Sequence, residues 1–196
     1  MVAETERLRL RSWREGDRVK FVRRLNTPAV MRWLGGVQDE ATHAAAFDRI
    51  DGFQRDYGHT FWIVERKDDG ALLGFCGLKR ANSPGGEQLH GEFEIGWRLR
   101  EDAWGQGFAK EAAIASLDLA FGRYRAPHVI ALTVAGNADS RALMERLGMR
   151  RRPDLDYVDS RFPSPGELNP TIIYRIDAAD WPAARARALA QPRSRA

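Results

Sequence analysis

The sequence contains a single cysteine, Cys76, which excludes a disulfide within the chain and a zinc site built from several thiolates. The histidines show no metal-ligand spacing, so we predict no metal site; they are His43, His59, His90 and His128. No apolar run approaches the roughly 20 residues of a membrane span. The start of the chain is too acidic for a signal peptide. We therefore expect a soluble, cytoplasmic protein without a membrane partner.

The net positive charge of the chain comes from its C-terminal end. The formal net charge is +4, but the stretch from Ala183 onward holds four arginines and no acidic residue. The remaining 27 basic and 27 acidic residues balance. A surface that follows nucleic-acid phosphates normally forms a basic face on the fold itself, so this distribution argues against a nucleic-acid partner. We expect residues 183–196 to form a basic, flexible tail.

The size and composition predict one folded domain. A chain of 196 residues with 43% hydrophobic and 10% aromatic residues is long enough and apolar enough to bury a full core. We place this domain at residues 1–182.

Hydrophobic periodicity and turn residues predict the order of the elements. Strands are predicted at residues 8–13, 61–66, 72–80, 91–99, 129–134 and 172–176. Helices are predicted at residues 15–26, 27–34, 40–57, from a glycine-rich turn to about 124, and 140–147, with a closing helix that Asp177 can cap. Hairpins dominate the first half and helices separate the strands of the second. This order predicts an α/β fold, with a mixed sheet and helices on both faces.

A glycine-rich turn between a strand and an amphipathic helix is the central motif. It reads Trp104, Gly105, Gln106, Gly107, Phe108, Ala109, Lys110 and Glu111. Glycines let backbone N–H groups approach an anion, and the helix start adds its positive dipole end, so the turn suits a pyrophosphate. It lacks the hydroxyl residue of a P-loop and the third glycine of a dinucleotide-binding fold. The alternative interpretation is an ordinary turn.

A second motif follows the next strand: residues 137–149 begin Asn-Ala-Asp-Ser and end Leu-Gly-Met. Together with Glu94-Ile95-Gly96-Trp97-Arg98-Leu99 before the turn, this resembles the GCN5-related N-acetyltransferase family, and within it the branch of ribosomal-protein N-terminal acetyltransferase-like proteins. The resemblance extends from Arg7 to about Arg175 and is strongest between Glu92 and Met149.

The resemblance implies a single-domain, mostly antiparallel mixed sheet in which two central parallel strands splay apart and hold acetyl-coenzyme A. The pyrophosphate would lie on the amides of residues 105–110, and the pantetheine would pair with the backbone near Trp97 and Leu99. The family usually has Gln or Arg where this chain has Trp104. Asn137 would contact the coenzyme or maintain the splay.

The chemistry that the resemblance implies is direct attack of a neutral amine on the thioester. Ser140 would assist the leaving thiolate, and a backbone N–H near residues 95–97 would stabilise the oxyanion. Glu92 or Glu94, which strand alternation places on one face with His90, would act as the base. The alternatives are a solvated strand face and, for Asn137 and Ser140, helix capping.

Met31 and Trp33 lie where this branch forms one wall of the acceptor site, although they also suit a core. The loop at residues 82–88 and the segment at residues 157–169 are candidates for the other wall. Cys76 we interpret as inert packing.

We therefore predict an acetyl-coenzyme A-dependent N-acetyltransferase that acts on a primary amine, either a protein N-terminus or a small molecule, without a metal. The acceptor stays unidentified, and the chain is expected to be a monomer or a homodimer. One alternative is a non-catalytic acyl-coenzyme A-binding sensor or interaction module. Another is nucleic-acid binding through the arginine tail.

Overall fold

A computed structural model describes residues 1–192 and divides them into two compact units. The first unit contains residues 1–79 and 96–116, and the second contains residues 80–95 and 117–192. None of the helices within residues 1–192 has the length and apolar character that a membrane span requires.

The first unit contains an antiparallel sheet in the order β1-β2-β3-β4, followed by the end of β5. These strands are β1 Ala3–Glu4, β2 Leu8–Arg11, β3 Phe61–Arg66, β4 Leu72–Arg80 and β5 Phe93–Leu99. The helices between β2 and β3 are α1 Asp17–Leu25, α2 Pro28–Met31 and α3 Glu40–Tyr57, and a 3-10 turn at Arg32–Leu34 follows α2.

Local chemistry sets the ends of these helices. Thr27 caps α2, since its Oγ1 accepts a hydrogen bond from the N–H of Val30 at 3.3 Å. The Asp39 Oδ1 accepts from the N–H of Thr42 at 2.8 Å and caps α3. At the other end of α3, Gly58 adopts the left-handed conformation that stops a helix.

An aromatic cluster fills the core of the first unit. The rings of Phe61 and Phe75 stack with their centroids 4.8 Å apart, and Phe21 lies 5.6 Å from Phe75. Trp13 packs edge-on against Phe47 at 5.4 Å. The cluster thereby joins α1 and α3 to the sheet through buried apolar area, which is the main source of stability.

The second unit contains a mixed sheet in the order β5-β6-β8-β7. Its further strands are β6 His128–Val134, β7 Arg150–Arg151 and β8 Thr171–Asp177. β5 and β6 pair in parallel with Glu94 opposite Ile130, whereas β6 and β8 pair in antiparallel along their full length. The helices of the second half of the chain are α4 Phe108–Asp118, which continues as a π-helix through Arg123, α5 Ala138–Arg146 and α6 Trp181–Ala190.

The structure confirms the mixed α/β class and the order of the predicted elements, with small differences at their ends, and adds the two short strands β1 and β7, which were not predicted. β5 begins at Phe93 because the N–H of Glu92 bonds to the carbonyl of Leu89 in a turn. Asp180 occupies the N-terminal position of α6, whereas the predicted cap, Asp177, binds Arg175 instead.

Part of the predicted basic tail is helical. α6 extends to Ala190, so residues 183–190 belong to it, and the Arg185 Nε donates to Asp118 Oδ1 at 2.8 Å. Arg193 and Arg195 lie outside the described residues.

The first unit contains a buried charge cluster around Arg11. The guanidinium donates to Glu65 Oε2 and to Asp17 Oδ2, both at 2.6 Å, and all three residues are buried. Burial favours the neutral form of the Asp17 carboxyl, but the hydrogen bonds from Arg11 and from the N–H of Arg14 lower its pKa below the usual value. Two carboxylates thus satisfy one buried cation.

Replacing Asp17 by Asn should lower the free energy of unfolding by about 3 kcal/mol, because Arg11 then keeps only one carboxylate. Asp51→Asn is the matched control: Asp51 pairs with Arg18 on the surface, where such pairs contribute less than about 1 kcal/mol. Urea denaturation measures both.

The same experiment at lower pH tests the charge. Because the pKa of Asp17 is lower in the folded state, its contribution is complete above the unfolded pKa and is lost as the pH falls through the folded pKa. The difference between wild type and Asp17→Asn should therefore shrink in acid. A difference that stays constant, or an equal loss in Asp51→Asn, would contradict the assignment.

Candidate active site

The glycine-rich turn forms a compact start to α4. A 3-10 turn at Glu101–Ala103 follows β5, then Gly105 and Gly107 adopt φ values of 69° and 78°. These left-handed conformations strain residues that have a Cβ, which explains the two glycines. The first N–H groups of α4 have no acceptor within the helix and carry its positive dipole end. The turn therefore presents the donors that a diphosphate requires.

The Trp104 side chain links the turn to the end of β5. Its indole Nε1 donates to the carbonyl of Leu99 at 2.8 Å, while 47% of the residue stays exposed. The Gln106 Nε2 donates to the carbonyl of Asp102 at 2.7 Å. The indole of Trp104 therefore stabilises the turn, and its contact with the coenzyme stays a prediction. The carbonyl of Leu99 already accepts one hydrogen bond, so pantetheine pairing there requires its second lone pair.

Glu111, in the first turn of α4, accepts several hydrogen bonds from the N-terminal segment. The sequence analysis did not predict this role. Its Oε1 accepts from Thr5 Oγ1 at 2.6 Å and from the N–H of Arg7 at 2.8 Å. Its Oε2 accepts from the Arg7 Nε at 2.7 Å. Burial opposes ionisation, but these bonds lower the pKa of the Glu111 carboxyl below its usual value. Glu111 is therefore a carboxylate at neutral pH.

Arg7 extends this anchor to both sides of the turn. Its guanidinium lies 4.3 Å from the centroid of the buried Phe108 ring, and its Nη1 donates to the carbonyl of Gln106 at 3.0 Å. The β1-β2 segment therefore holds the turn in position through Arg7 and Thr5. The sequence pointed to this contact only through the presence of Glu111 in the glycine-rich motif.

The start of α5 agrees with the capping interpretation for Asn137. The Asn137 Oδ1 accepts from the N–H of Ser140 at 3.3 Å, so Asn137 caps the helix. Both side chains are only partly buried. Ser140 therefore has a fixed backbone position, and its role toward a leaving thiolate stays a prediction.

The two predicted glutamates have different surroundings in the second unit. The Glu92 Oε2 lies 2.5 Å from Nε2 of His128, the first residue of β6. Glu94 is 8% exposed, opposite Ile130 in the parallel pair, and its charge acts on Tyr157 and Arg161. His90 does not lie on the strand face on which it was predicted, because it ends a 3-10 turn before β5; it is exposed, and its Nε2 contacts the carbonyl of Ser83 at 3.0 Å.

The two loops predicted to form one acceptor wall contact each other in the second unit. A Cβ on Gly86 would lie 2.8 Å from the ring of Tyr157, so only glycine allows this approach. Asn169 then closes the segment at residues 157–169, because its Oδ1 accepts from the N–H of Asp159 at 2.8 Å and its Nδ2 donates to the carbonyl of Phe162 at 2.9 Å. Burial raises the pKa of Tyr157.

Met31 and Trp33, the predicted residues of the opposite wall, differ in exposure. Met31 is fully buried in the core cluster of the first unit, and Trp33 is partly exposed with the Arg32 guanidinium 4.5 Å from its ring centroid. Cys76 is fully buried with its Sγ 3.5 Å from Ser116 Oγ. Burial raises the pKa of the Cys76 thiol to about 12, so a nucleophilic thiolate is disfavoured.

Comparison with known proteins identifies the class to which this fold and turn belong. Residues 7–150 match the model of the acetyltransferase (GNAT) domain. The chain therefore belongs to the GNAT acetyltransferase family, whose members use acetyl-coenzyme A as acyl donor. The predicted family is confirmed, whereas the narrower branch stays a prediction.

The chain is also similar to individual proteins. The chain is 32% identical over 148 residues to the uncharacterized protein YkkB of Bacillus subtilis strain 168, which covers 74% of this chain and 83% of the relative. It is 24% identical over 153 residues to the uncharacterized N-acetyltransferase YoaA of the same organism, covering 76% and 83%. The crystal structure of an acetyltransferase from Agrobacterium tumefaciens strain C58 superposes with a TM-score of 0.72 at 25% identity, covering 89% of this chain and 92% of that one.

Replacing Glu111 by Gln should lower the free energy of unfolding by about 2 kcal/mol and weaken acetyl-coenzyme A binding severalfold, because Arg7 loses its charged partner and the turn loses its anchor. Urea denaturation and calorimetric titration measure the two effects. Glu4→Gln, which alters the exposed partner of Lys67, is the control and should leave both values near wild type. A stable Glu111→Gln protein with unchanged affinity would show that the turn does not need this anchor.

Proposed function

We propose that this protein transfers the acetyl group of acetyl-coenzyme A to a primary amine, either a small molecule or a protein N-terminus. The observation that carries the proposal is the turn before α4, where the left-handed Gly105 and Gly107 lead into the helix start. Family membership supports the choice of acyl donor. The choice of an amine as acceptor is supported by the carboxylates of Glu92, just before β5, and Glu94, within it.

The turn residues fit the coenzyme that the family uses. The proposal assigns the diphosphate to the backbone amides of residues 105–110 and the pantetheine to the backbone of Trp97 and Leu99. Asn137 is assigned to the coenzyme side through its position at the start of α5. When bound, the coenzyme supplies an activated thioester carbonyl.

The chain's own residues then handle the protons. Glu94 takes a proton from the bound ammonium, directly or through a water molecule, so that the amine nitrogen can form a bond to the acetyl carbon. A backbone N–H within residues 95–97 stabilises the oxyanion. As the carbon–sulfur bond breaks, Ser140 donates a hydrogen bond to the departing sulfur, which takes up the second proton lost by the amine nitrogen, so that the products are an amide and a free thiol. Glu94 is preferred over Glu92 as the base because it lies within β5 at the parallel pair with β6, whereas Glu92 precedes the strand.

Replacing Gly107 by Val should abolish binding of acetyl-coenzyme A, since a β-branched residue is strained at a φ of 78° and its side chain would crowd the amides. Calorimetric titration measures the affinity. Gly58→Val is the matched control, because Gly58 has a φ of 69° at the end of α3 and open space around its Cβ position. It should lose a similar amount of stability and keep wild-type affinity. A folded Gly107→Val protein that binds normally would remove the turn from the site.

Replacing Glu94 by Gln should reduce kcat/KM by about a hundredfold or more while leaving the Kd for acetyl-coenzyme A unchanged, because a base acts on the acceptor only. Thiol release in the presence of a panel of primary amines measures turnover. Glu92→Gln should have a smaller effect. Binding of acetyl-coenzyme A without thiol release by the wild type, with any amine of the panel, would favour a sensor over an enzyme.

A further inference from the structure

Arg98, on β5, is a cation without a counter-charge in the first unit. Its Nε is buried and has no hydrogen-bond partner, and no carboxylate within residues 1–192 forms an ion pair with it. The guanidinium carbon lies 5.3 Å from the ring centroid of Phe75 and 5.9 Å from that of Phe21. The residue as a whole keeps partial access to solvent. The charged guanidinium of Arg98 therefore lies next to aromatic rings and not next to a carboxylate.

Such an arrangement is costly unless something else satisfies the charge. Removing one cation from water costs several kcal/mol, and buried charges are therefore paired as a rule. Arg11 of the same unit follows the rule with two carboxylates at 2.6 Å. Burial lowers the pKa of Arg98 to about 10, which still leaves it charged at neutral pH. An unpaired group of this kind calls for a functional explanation.

His43 adds a second unpartnered group beside Arg98. It lies on α3, is 5% exposed, and its buried Nε2 has no hydrogen-bond partner. Its ring stacks on Phe47 with centroids 6.3 Å apart. Burial and the charge of Arg98 both lower the pKa of His43, so the imidazole is neutral and its Nε2 can carry a proton to donate.

These groups adjoin the predicted acceptor wall of the first unit. Phe21 and Phe75, which flank Arg98, belong to the same core cluster as Met31. The surroundings thus combine a planar fork of donors, a second neutral donor and apolar ring faces. A carboxylate matches the fork, since guanidinium and carboxylate form two parallel hydrogen bonds.

We propose that Arg98 binds a carboxylate of the acceptor, with His43 as a second donor, so that the substrate is a small amine that also carries a carboxylate, such as an amino acid or a short peptide with a free C-terminus. This inference rests on the proposed acetyltransferase function. Arg98 is a specificity-determining residue in it and takes no part in the proton transfers.

The first test compares matched acceptors. Thiol release is measured with amino acids and glycyl dipeptides, with their C-terminal amides, and with O-phosphoethanolamine against ethanolamine. The wild type should prefer each carboxylate over its amide by about tenfold or more in kcat/KM. Arg98→Met should lose this preference and keep the wild-type Kd for acetyl-coenzyme A. Arg98→Lys should retain part of it, because the charge remains without the fork.

The control is Arg55→Met, which removes an exposed arginine of α3 that pairs with Asp56, and it should keep the preference. Equal use of carboxylates and amides by the wild type overturns the proposal, as does a preference that survives in Arg98→Met. A preference for the phosphorylated amine alone also overturns it. Failure of the wild type to bind acetyl-coenzyme A would instead overturn the proposed function.

The second test needs no turnover. If Arg98 serves a ligand, Arg98→Met should raise the Tm of the free protein, because it removes an unpaired charge, whereas Arg55→Met should not. Millimolar glycyl dipeptides should raise the Tm of the wild type and of Arg55→Met, but not of Arg98→Met. A lower Tm of free Arg98→Met would identify a structural role and overturn the proposal. Absence of both a shift and thiol release with every carboxylate in the wild type would also overturn it.

Discussion

The candidate site depends on the hydrogen bonds between the β1-β2 segment and Glu111 in the first turn of α4. Backbone amides can bind a diphosphate only if the chain keeps them converging before the ligand arrives. Gly105 and Gly107 permit that conformation without selecting it. The selection comes from Glu111, which gathers Thr5 and Arg7 at 2.6–2.8 Å. The N-terminal segment of the chain therefore belongs functionally to the turn.

Three arginines of the first unit differ in the partners that surround their guanidinium groups. Arg11 has two carboxylates, Arg7 has one together with an aromatic face, and Arg98 has aromatic faces only. The first two arrangements stabilise the free protein, because charge and donors are satisfied internally. The third has no carboxylate partner within residues 1–192.

The elements could be predicted from sequence because their signals are local. α3 ends where Gly58 follows a periodic stretch, and the hairpin of β3 and β4 matches the predicted ranges of residues 61–66 and 72–80. The contacts that shape the site could not be predicted in the same way. Glu111 and Thr5 are more than 100 residues apart, and a single sequence contains nothing that couples them. The isolation of Arg98 is also a property of packing, since its neighbours come from α1 and β4.

The two loops at residues 82–88 and 157–169 of the second unit could be predicted only in part. The composition of residues 82–88 predicted a loop, but its contact with the segment at residues 157–169 depends on Gly86, where a Cβ would lie 2.8 Å from the ring of Tyr157. Asn169 then fixes the second loop through bonds to the backbone of Asp159 and Phe162. Loop shape here is a consequence of one missing methyl group and one amide side chain. These two residues act through their own contacts, which sequence pattern alone does not reveal.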